Sequence, residues 1–200
     1  MVEFMKVFLP VYALLFFFVV FLLRTFIVWK RTGTNAYVML SQGGAHGVIG
    51  RYFKLMPFAS LFVIGSFSFY PSLYGYLAPI LWLETDLIIL TGLLLLIVSL
   101  FWVWAAQSQM GNSWRIGIDE KSKTELVTEG IFTISRNPIF LGIKITNLGF
   151  FLVLPNAVTL SILILGAALI DIQVALEEKY LTGIHGENYR RYCEKVRRWI

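Results

Sequence analysis

Five apolar stretches alternate with polar segments along the chain. They cover residues 7–29, 55–76, 87–106, 138–154 and 157–176. A helix that crosses the hydrocarbon core of a bilayer needs about 20 mainly apolar residues. The fourth stretch has 17 residues and is a marginal span, because it reaches only about 25 Å at 1.5 Å per residue. The pattern predicts an all-α, polytopic membrane protein with about five transmembrane helices.

Proline and aromatic positions add detail to this outline. Pro71 predicts a bend in the second span, because proline removes a backbone N–H. Pro155-Asn156 predicts a tight turn that joins the last two spans into a C-terminal helical hairpin. In the tail, Tyr189 and Tyr192 begin an apolar repeat with a helical spacing. This amphipathic tail could lie on the bilayer or fold back as a lid.

Composition supports the membrane interpretation. Hydrophobic residues make up 58% of the 200 residues and charged residues 14%, and the mean hydropathy is +0.73. Soluble domains carry about a quarter charged residues. The length fits one integral-membrane domain over residues 1–200.

The distribution of charge predicts the orientation. Residues 30–54 contain four basic residues and no acidic one, and residues 177–200 contain six basic and four acidic residues. Cytoplasmic segments of membrane proteins are enriched in Lys and Arg. We therefore expect the N-terminus outside and the C-terminus in the cytoplasm, in either a bacterial inner membrane or the endoplasmic reticulum. The net charge of +5 matches this enrichment of basic residues in cytoplasmic segments. Membrane lipids are expected partners, and nucleic acid is not.

The cysteine and histidine residues of the chain do not form a disulfide or metal-binding pattern. The single cysteine, Cys193, excludes an intrachain disulfide. His46 and His185 are too far apart in sequence to form a metal-binding motif. No metal is predicted.

Arg136-Asn137-Pro138 marks the point where a polar loop enters the fourth span. Proline is favoured in the first turn of a helix, and the free N–H groups at a helix start bind anions. With the Arg136 guanidinium, this corner is a candidate carboxylate site. The alternative is an interfacial arginine that contacts lipid phosphates.

Acidic residues stand at the end of the last span. Gln173 and Glu177 are four residues apart and share a helix face. A carboxylate of Glu177 or Glu178 could bind an ammonium group or stabilise a sulfonium, and the alternative is a solvated helix end. Lys144 and Asp171 are candidates for a supporting role, because ionisable residues at membrane depth are often functional.

Five motif blocks follow one another in the second half of the chain. They are Leu-Val-x-x-Gly-x-Phe (126–132), Arg-Asn-Pro-x-Phe-x-Gly (136–142), Glu-Glu-x-x-Leu (177–181), Gly-x-x-Tyr-x-x-Tyr (186–192) and Val-x-Arg (196–198). In this order they resemble the isoprenylcysteine carboxyl methyltransferase family, which is related to the phospholipid N-methyltransferases. The resemblance covers about residues 90–200 and indicates the superfamily rather than one substrate. We therefore divide the chain into variable spans (1–86) and a methyltransferase-like core (87–200).

The resemblance implies a cofactor and a set of residues. Members of the family use S-adenosyl-L-methionine, bound on the cytoplasmic side. Arg136, Glu177 and Glu178 are then the candidate catalytic residues, and Gln173 and Lys144 are candidates for substrate binding. The positions that correspond to the family's cofactor site are Thr124, Glu125, Leu126, Val127, Phe132, Asn137, Pro138, Ile139, Phe140 and Glu177.

The chain departs from the family pattern at some of these positions. Asn137 replaces a histidine, and Phe132 and Phe140 replace tyrosines. His185 stands where phenylalanine is usual. Gln173 replaces an arginine implicated in the substrate site, and a neutral amide cannot pair with a substrate carboxylate as arginine does.

We therefore expect an S-adenosyl-L-methionine-dependent methyltransferase that acts on a lipophilic or lipidated acceptor from the bilayer. The resemblance is to isoprenylcysteine carboxyl O-methyltransferases. The alternatives are a phospholipid or amine N-methyltransferase and a non-enzymatic membrane scaffold that retains the fold.

Overall fold

The computed structural model describes residues 1–33, 44–111, 114 and 125–200. These residues form α-helices and no β-strand, which confirms the all-α prediction. A π-helical turn, Phe18–Leu23, joins the first two helices. The helices are α1 (Val2–Phe17), α2 (Arg24–Thr32), α3 (Gly44–Phe69), α4 (Pro71–Gly75), α5 (Asp86–Met110), α6 (Pro138–Val153), α7 (Ala157–His185) and α8 (Glu187–Lys195).

Four continuous helical segments in the described residues have the length and composition to cross a membrane. They are Val2–Arg31, Gly47–Phe69, Asp86–Met110 and Ala157–His185. The shorter apolar helix α6 is the fifth segment, as its sequence predicts. The polytopic membrane fold is thereby confirmed.

The predicted bend at Pro71 is wrong, and the second span has different limits. α3 begins at Gly44 and ends at Phe69, ahead of the proline. Tyr70 leaves the helical region, with φ −136° and ψ 68°, and Pro71 starts the separate helix α4. The physical reason is the clash between a proline ring and the preceding residue, which disfavours helical geometry at that residue.

The predicted end of the last span is also wrong. α7 continues beyond Leu176 to His185, so Glu177 and Glu178 lie within a helix and not at its end. The residues that follow are mainly compatible with a helix, and the chain leaves the helix at Gly186, where φ is +53°. Positive φ values favour glycine.

Small residues allow α5 and α6 to pack closely. A Cβ added at Gly92 would lie 2.8 Å from the Gly149 carbonyl oxygen, and one added at Gly149 would lie 2.9 Å from the Gly92 carbonyl oxygen. Close backbone approach at small residues is typical of helix pairs in membranes. This close packing holds α6, including its first turn, against α5.

Hydrogen bonds fasten the two ends of the bundle. At one end, the predicted turn before α7 is confirmed: the Asn156 side chain accepts from the N–H groups of Val158 and Thr159 in a capping box, and the N–H of Ile80 donates to the Pro155 carbonyl at 2.7 Å. At the other end, Arg24 donates to the Gly111 carbonyl at 2.6 Å. This second end, where α2 and α5 end and α6 begins, is called the site end below.

Candidate functional site

A cavity of about 1130 Å³ runs from the site end into the bundle. Small-molecule sites in proteins usually have about 300–1,000 Å³. The charged side chains that line it are Lys54, Glu125, Arg136 and Glu177. Most of the remaining lining is apolar and comes from the membrane-spanning helices. The cavity is therefore large enough for more than one small ligand and joins a charged region to an apolar one.

The structure brings most of the predicted cofactor residues to this cavity. Arg136 also lines it, whereas Glu178, Gln173 and Lys144 do not. Thr124 lies outside the described residues. The predicted cofactor residues in the lining are Glu125, Leu126, Val127, Phe132, Asn137, Pro138, Ile139, Phe140 and Glu177.

The Arg-Asn-Pro corner is held by a small set of hydrogen bonds. Pro138 occupies the first turn of α6, as predicted. The buried Ser135 hydroxyl accepts from the N–H of Asn137 at 3.1 Å. The Trp102 indole donates to the Pro138 carbonyl at 2.8 Å. The corner is thereby anchored to α5, which fixes the position of Arg136 at the cavity wall.

Glu177 and Gln173 form a pair on α7. The Gln173 amide donates to a carboxylate oxygen of Glu177 at 2.8 Å, as the four-residue spacing predicts. Gln173 is fully buried, and its Oε1 has no hydrogen-bond partner among the described residues. Glu177 lines the cavity, so Gln173 orients the carboxylate from behind and does not itself reach the cavity.

Glu178 has a different environment from its neighbour. It accepts two hydrogen bonds from Arg198, at 2.6 and 3.2 Å. Its Oε1 also lies 3.4 Å from both the Arg136 guanidinium and the Asn137 amide. A carboxylate with these partners connects the Arg-Asn-Pro corner to the C-terminal tail. We call this group of four residues the tail clasp.

The tail folds back onto the cavity, which resolves the two alternatives for the amphipathic helix. The N–H of Arg136 donates to the Arg197 carbonyl at 3.0 Å, and the Ser135 hydroxyl donates to the Arg198 carbonyl at 3.1 Å. Tyr189 and Tyr192 are buried and line the cavity. The tail therefore forms part of the cavity wall at the site end.

Lys144 and Asp171 pair with each other. The Lys144 ammonium lies 2.6 Å from Asp171 Oδ1 and 4.0 Å from the centre of the Trp199 ring. An ammonium group over an indole face is a favourable cation–π arrangement. The tail is thus fastened to α6 by Trp199 as well as to α7 by Arg198.

Tyr192 also anchors the tail. We expect the Tyr192→Phe substitution to weaken the attachment of the tail to the bundle. The Tyr192 hydroxyl donates to the Phe132 carbonyl at 2.6 Å. Loss of this buried bond should cost about 1–2 kcal/mol in the free energy of unfolding, measurable as a lower melting temperature in detergent. Tyr52→Phe, at an exposed position, is the control and should change little.

The same bond has a defined pH dependence. Burial raises the pKa of Tyr192 to about 12, above the usual tyrosine value of about 10. The folded state therefore holds the proton more tightly than the unfolded state. The stabilisation is complete below about pH 10 and is lost as the pH rises from there through about 12. Tyr192→Phe should remove this part of the alkaline destabilisation, and a melting curve against pH that is identical in the variant would contradict it.

The N-terminal helices contribute a large part of the cavity, which the sequence does not predict. Their residues are ordinary apolar membrane residues, and nothing in their order distinguishes a side chain that faces a cavity from one that faces lipid. Those from α1 to the start of α2 include Leu9, Tyr12, Phe16, Phe17, Val20, Phe21 and Phe26.

No group of three or more His, Cys, Asp or Glu side chains in the described residues has the arrangement to hold a metal ion.

The described helices form a polytopic bundle, and its cavity has charged side chains towards the site end and a mainly apolar lining elsewhere. A family model described as phospholipid methyltransferase matches residues 87–188. The chain belongs to this family, which confirms the resemblance found in the motif blocks. Membership indicates a methyltransferase that acts on lipid-type substrates.

The chain is also similar to one protein whose function is not described. A protein of Haemophilus influenzae (strain ATCC 51907 / DSM 11121 / KW20 / Rd), described as an uncharacterized protein, is 36% identical over 63 residues. The match covers 31% of this chain and all of that protein. No solved structure matches the chain.

Proposed function

We propose that this protein transfers a methyl group from S-adenosyl-L-methionine to the amine of a lipophilic acceptor that enters the cavity from the bilayer. The observation that carries the proposal is that a carboxylate, Glu177, and a guanidinium, Arg136, both line a cavity whose remainder is mainly apolar. The orientation that we propose puts this end on the cytoplasmic side, because the basic segments around it are typical of cytoplasmic loops.

The residues fit a cofactor that carries both an ammonium and a carboxylate. Arg136 can bind a carboxylate, and its Nε has no hydrogen-bond partner among the described residues. Glu177 can accept from an ammonium group. Phe132 and Phe140 offer flat apolar surfaces to an adenine ring. S-adenosyl-L-methionine supplies an activated methyl group on its sulfonium when it is bound.

The Gln173–Glu177 pair favours an amine as the methyl acceptor. An amine that is protonated in water must lose a proton to expose the lone pair that would take the methyl group, and this proton needs a base. Glu177 lines the cavity and can accept this proton, while Gln173 stabilises the carboxylate by its hydrogen bond of 2.8 Å.

Carboxyl O-methylation is the second candidate, because the motif blocks resemble the isoprenylcysteine enzymes. An acceptor carboxylate beside Glu177 would be repelled, and the arginine that would compensate is replaced by Gln173. Lys54, which lines the cavity, would then have to bind the acceptor carboxylate. This is the specific feature that keeps the carboxyl reaction as an alternative.

Base treatment of the labelled product separates the two reactions. The purified protein would be incubated with a membrane lipid extract and S-adenosyl-L-methionine labelled in the methyl group. We expect the label to stay in a non-volatile product after alkali, because N-methyl groups are stable whereas methyl esters hydrolyse to volatile methanol. Label released as methanol would establish carboxyl methylation, and no transfer by a folded, cofactor-binding protein would favour the scaffold alternative.

A further inference from the structure

An asparagine amide lies in the part of the cavity that is otherwise mainly apolar. Asn147 lines the cavity and follows Pro138 by nine residues, which puts it about 14 Å along α6 from the charged end. No backbone or side-chain group among the described residues forms a hydrogen bond with the Asn147 amide. The amide is therefore a free polar group deep in a membrane-spanning helix.

The neighbouring helix leaves space for this amide. A Cβ added at Gly166 on α7 would lie only 2.7 Å from Asn147 Nδ2, closer than side-chain contacts allow. The Met56 sulfur of α3 would lie 3.6 Å from the same Cβ. The Asn147 amide thus sits at the junction of three helices, in a space that exists because residue 166 is glycine.

Other polar groups of this region are already satisfied within the protein. The Tyr12 hydroxyl donates to the Leu96 carbonyl at 3.0 Å. The Thr146 hydroxyl donates to the Gly142 carbonyl at 3.0 Å and lies 2.9 Å from the Ser99 hydroxyl. Asn147 differs from these residues, since its two donors and its acceptor oxygen remain available to a molecule in the cavity.

A polar group without a partner in an apolar, membrane-embedded environment is costly, and such residues usually mark a substrate path. We propose that Asn147 is a specificity residue that donates a hydrogen bond to an oxygen in the lipid portion of the acceptor. It would favour acceptors with an ester carbonyl in that portion over acceptors with only hydrocarbon or ether groups there. The inference rests on the proposed function, because it takes the apolar part of the cavity as the place of the acceptor's lipid portion.

Two lipid probes that differ at one oxygen test this inference directly. Binding of 1-oleoylglycerol and of its ether analogue, 1-O-oleylglycerol, would be measured on the full-length protein in detergent with S-adenosylhomocysteine present. We expect the ester to bind about five- to tenfold more tightly than the ether, since the net effect of one hydrogen bond is of that size. Asn147→Leu should bind both lipids equally.

A pair of glycine substitutions supplies the matched control. Gly166→Ala should lower the preference for the ester, because the new methyl group displaces the Asn147 amide. Gly65→Ala on α3, where an added Cβ meets nothing within 4 Å, should retain the wild-type preference. Equal binding of the two lipids by the wild type, or an unchanged preference in Asn147→Leu, would overturn the inference.

The affinity for S-adenosylhomocysteine separates this inference from the proposed function. Asn147→Leu should bind S-adenosylhomocysteine like the wild type, since the residue lies far from the charged end. Failure of every variant and of the wild type to bind it would reject the proposed function. Normal binding without discrimination between the lipids would reject only the role of Asn147.

Discussion

Replacing Glu177 with glutamine is expected to lower methyl transfer at least about 100-fold, the lower limit of the usual contribution of a general base. The variant keeps the shape of the side chain and removes its charge and its ability to accept a proton. Turnover with labelled cofactor measures the effect, with acceptor at saturation. The pH–rate profile should change as well, because the group that accepts the proton has been lost.

The Glu177→Gln substitution should also weaken binding of the cofactor. A hydrogen bond to a charged group contributes about 1.5–3 kcal/mol, so the affinity for S-adenosylhomocysteine should fall about 10- to 100-fold. Glu194→Gln is the matched control, because Glu194 is an exposed tail residue away from the cavity lining. A Glu177→Gln variant with wild-type turnover and affinity would remove this residue from the site.

Replacing Glu178 with leucine is expected to have its main effect on stability and on the tail. The change leaves Arg136, whose side chain is 14% exposed, without its acidic partner. Removal of one partner from a buried ion pair commonly costs about 3–5 kcal/mol. We expect about 2–4 kcal/mol, because Arg198 is 45% exposed and solvent screens its part of the interaction. Melting temperature in detergent and amide hydrogen exchange over residues 187–200 measure the loss.

Exchanging the charges of Glu178 and Arg198 tests whether the tail clasp holds the tail in place. Hydrogen bonding to Glu178 raises the pKa of Arg198, so the arginine stays charged at every pH of interest. Arg198→Glu alone should loosen the tail by repulsion, and Glu178→Arg with Arg198→Glu should recover part of its protection from exchange. Full protection of the tail in Glu178→Leu would show that the clasp does not hold it.

The sequence and the structure agree where local chemistry decides the outcome. Pro138 begins α6 since proline is suited to a first helical turn, and Asn156 caps α7 through its own side chain. The Gln173–Glu177 contact follows from helical spacing alone. Nine of the ten predicted cofactor residues line the cavity, and the tenth, Thr124, lies outside the described residues.

Glu177 and Glu178 show what local patterns leave undetermined. Consecutive residues on a helix point about 100° apart, so one carboxylate faces the cavity and the other faces the tail. Their different roles depend on the path of residues 196–199, which return to a corner about 60 positions earlier in the chain. No pattern around residue 177 contains that long-range contact.

The sequence also does not predict the apolar part of the cavity. Tyr12, Met56 and Phe150 line it, but an apolar membrane helix has the same composition whether its faces meet lipid, protein or a cavity. The extension of α7 beyond Leu176, by contrast, is compatible with the local sequence, because no proline or glycine interrupts the chain between Glu177 and Leu181. The charged residues Glu177 and Glu178 end the apolar stretch but not the helix, which continues to His185.

Calorimetric binding of S-adenosylhomocysteine to the detergent-purified protein, with Glu177→Ala and Arg136→Ala beside it, tests the central claim most directly. We predict micromolar binding by the wild type and loss of at least tenfold in affinity in each variant, since each removes one charged anchor of a cofactor with both charges. Absence of binding to folded wild-type protein, or equal affinity in all three proteins, would contradict the assignment of this cavity to S-adenosyl-L-methionine.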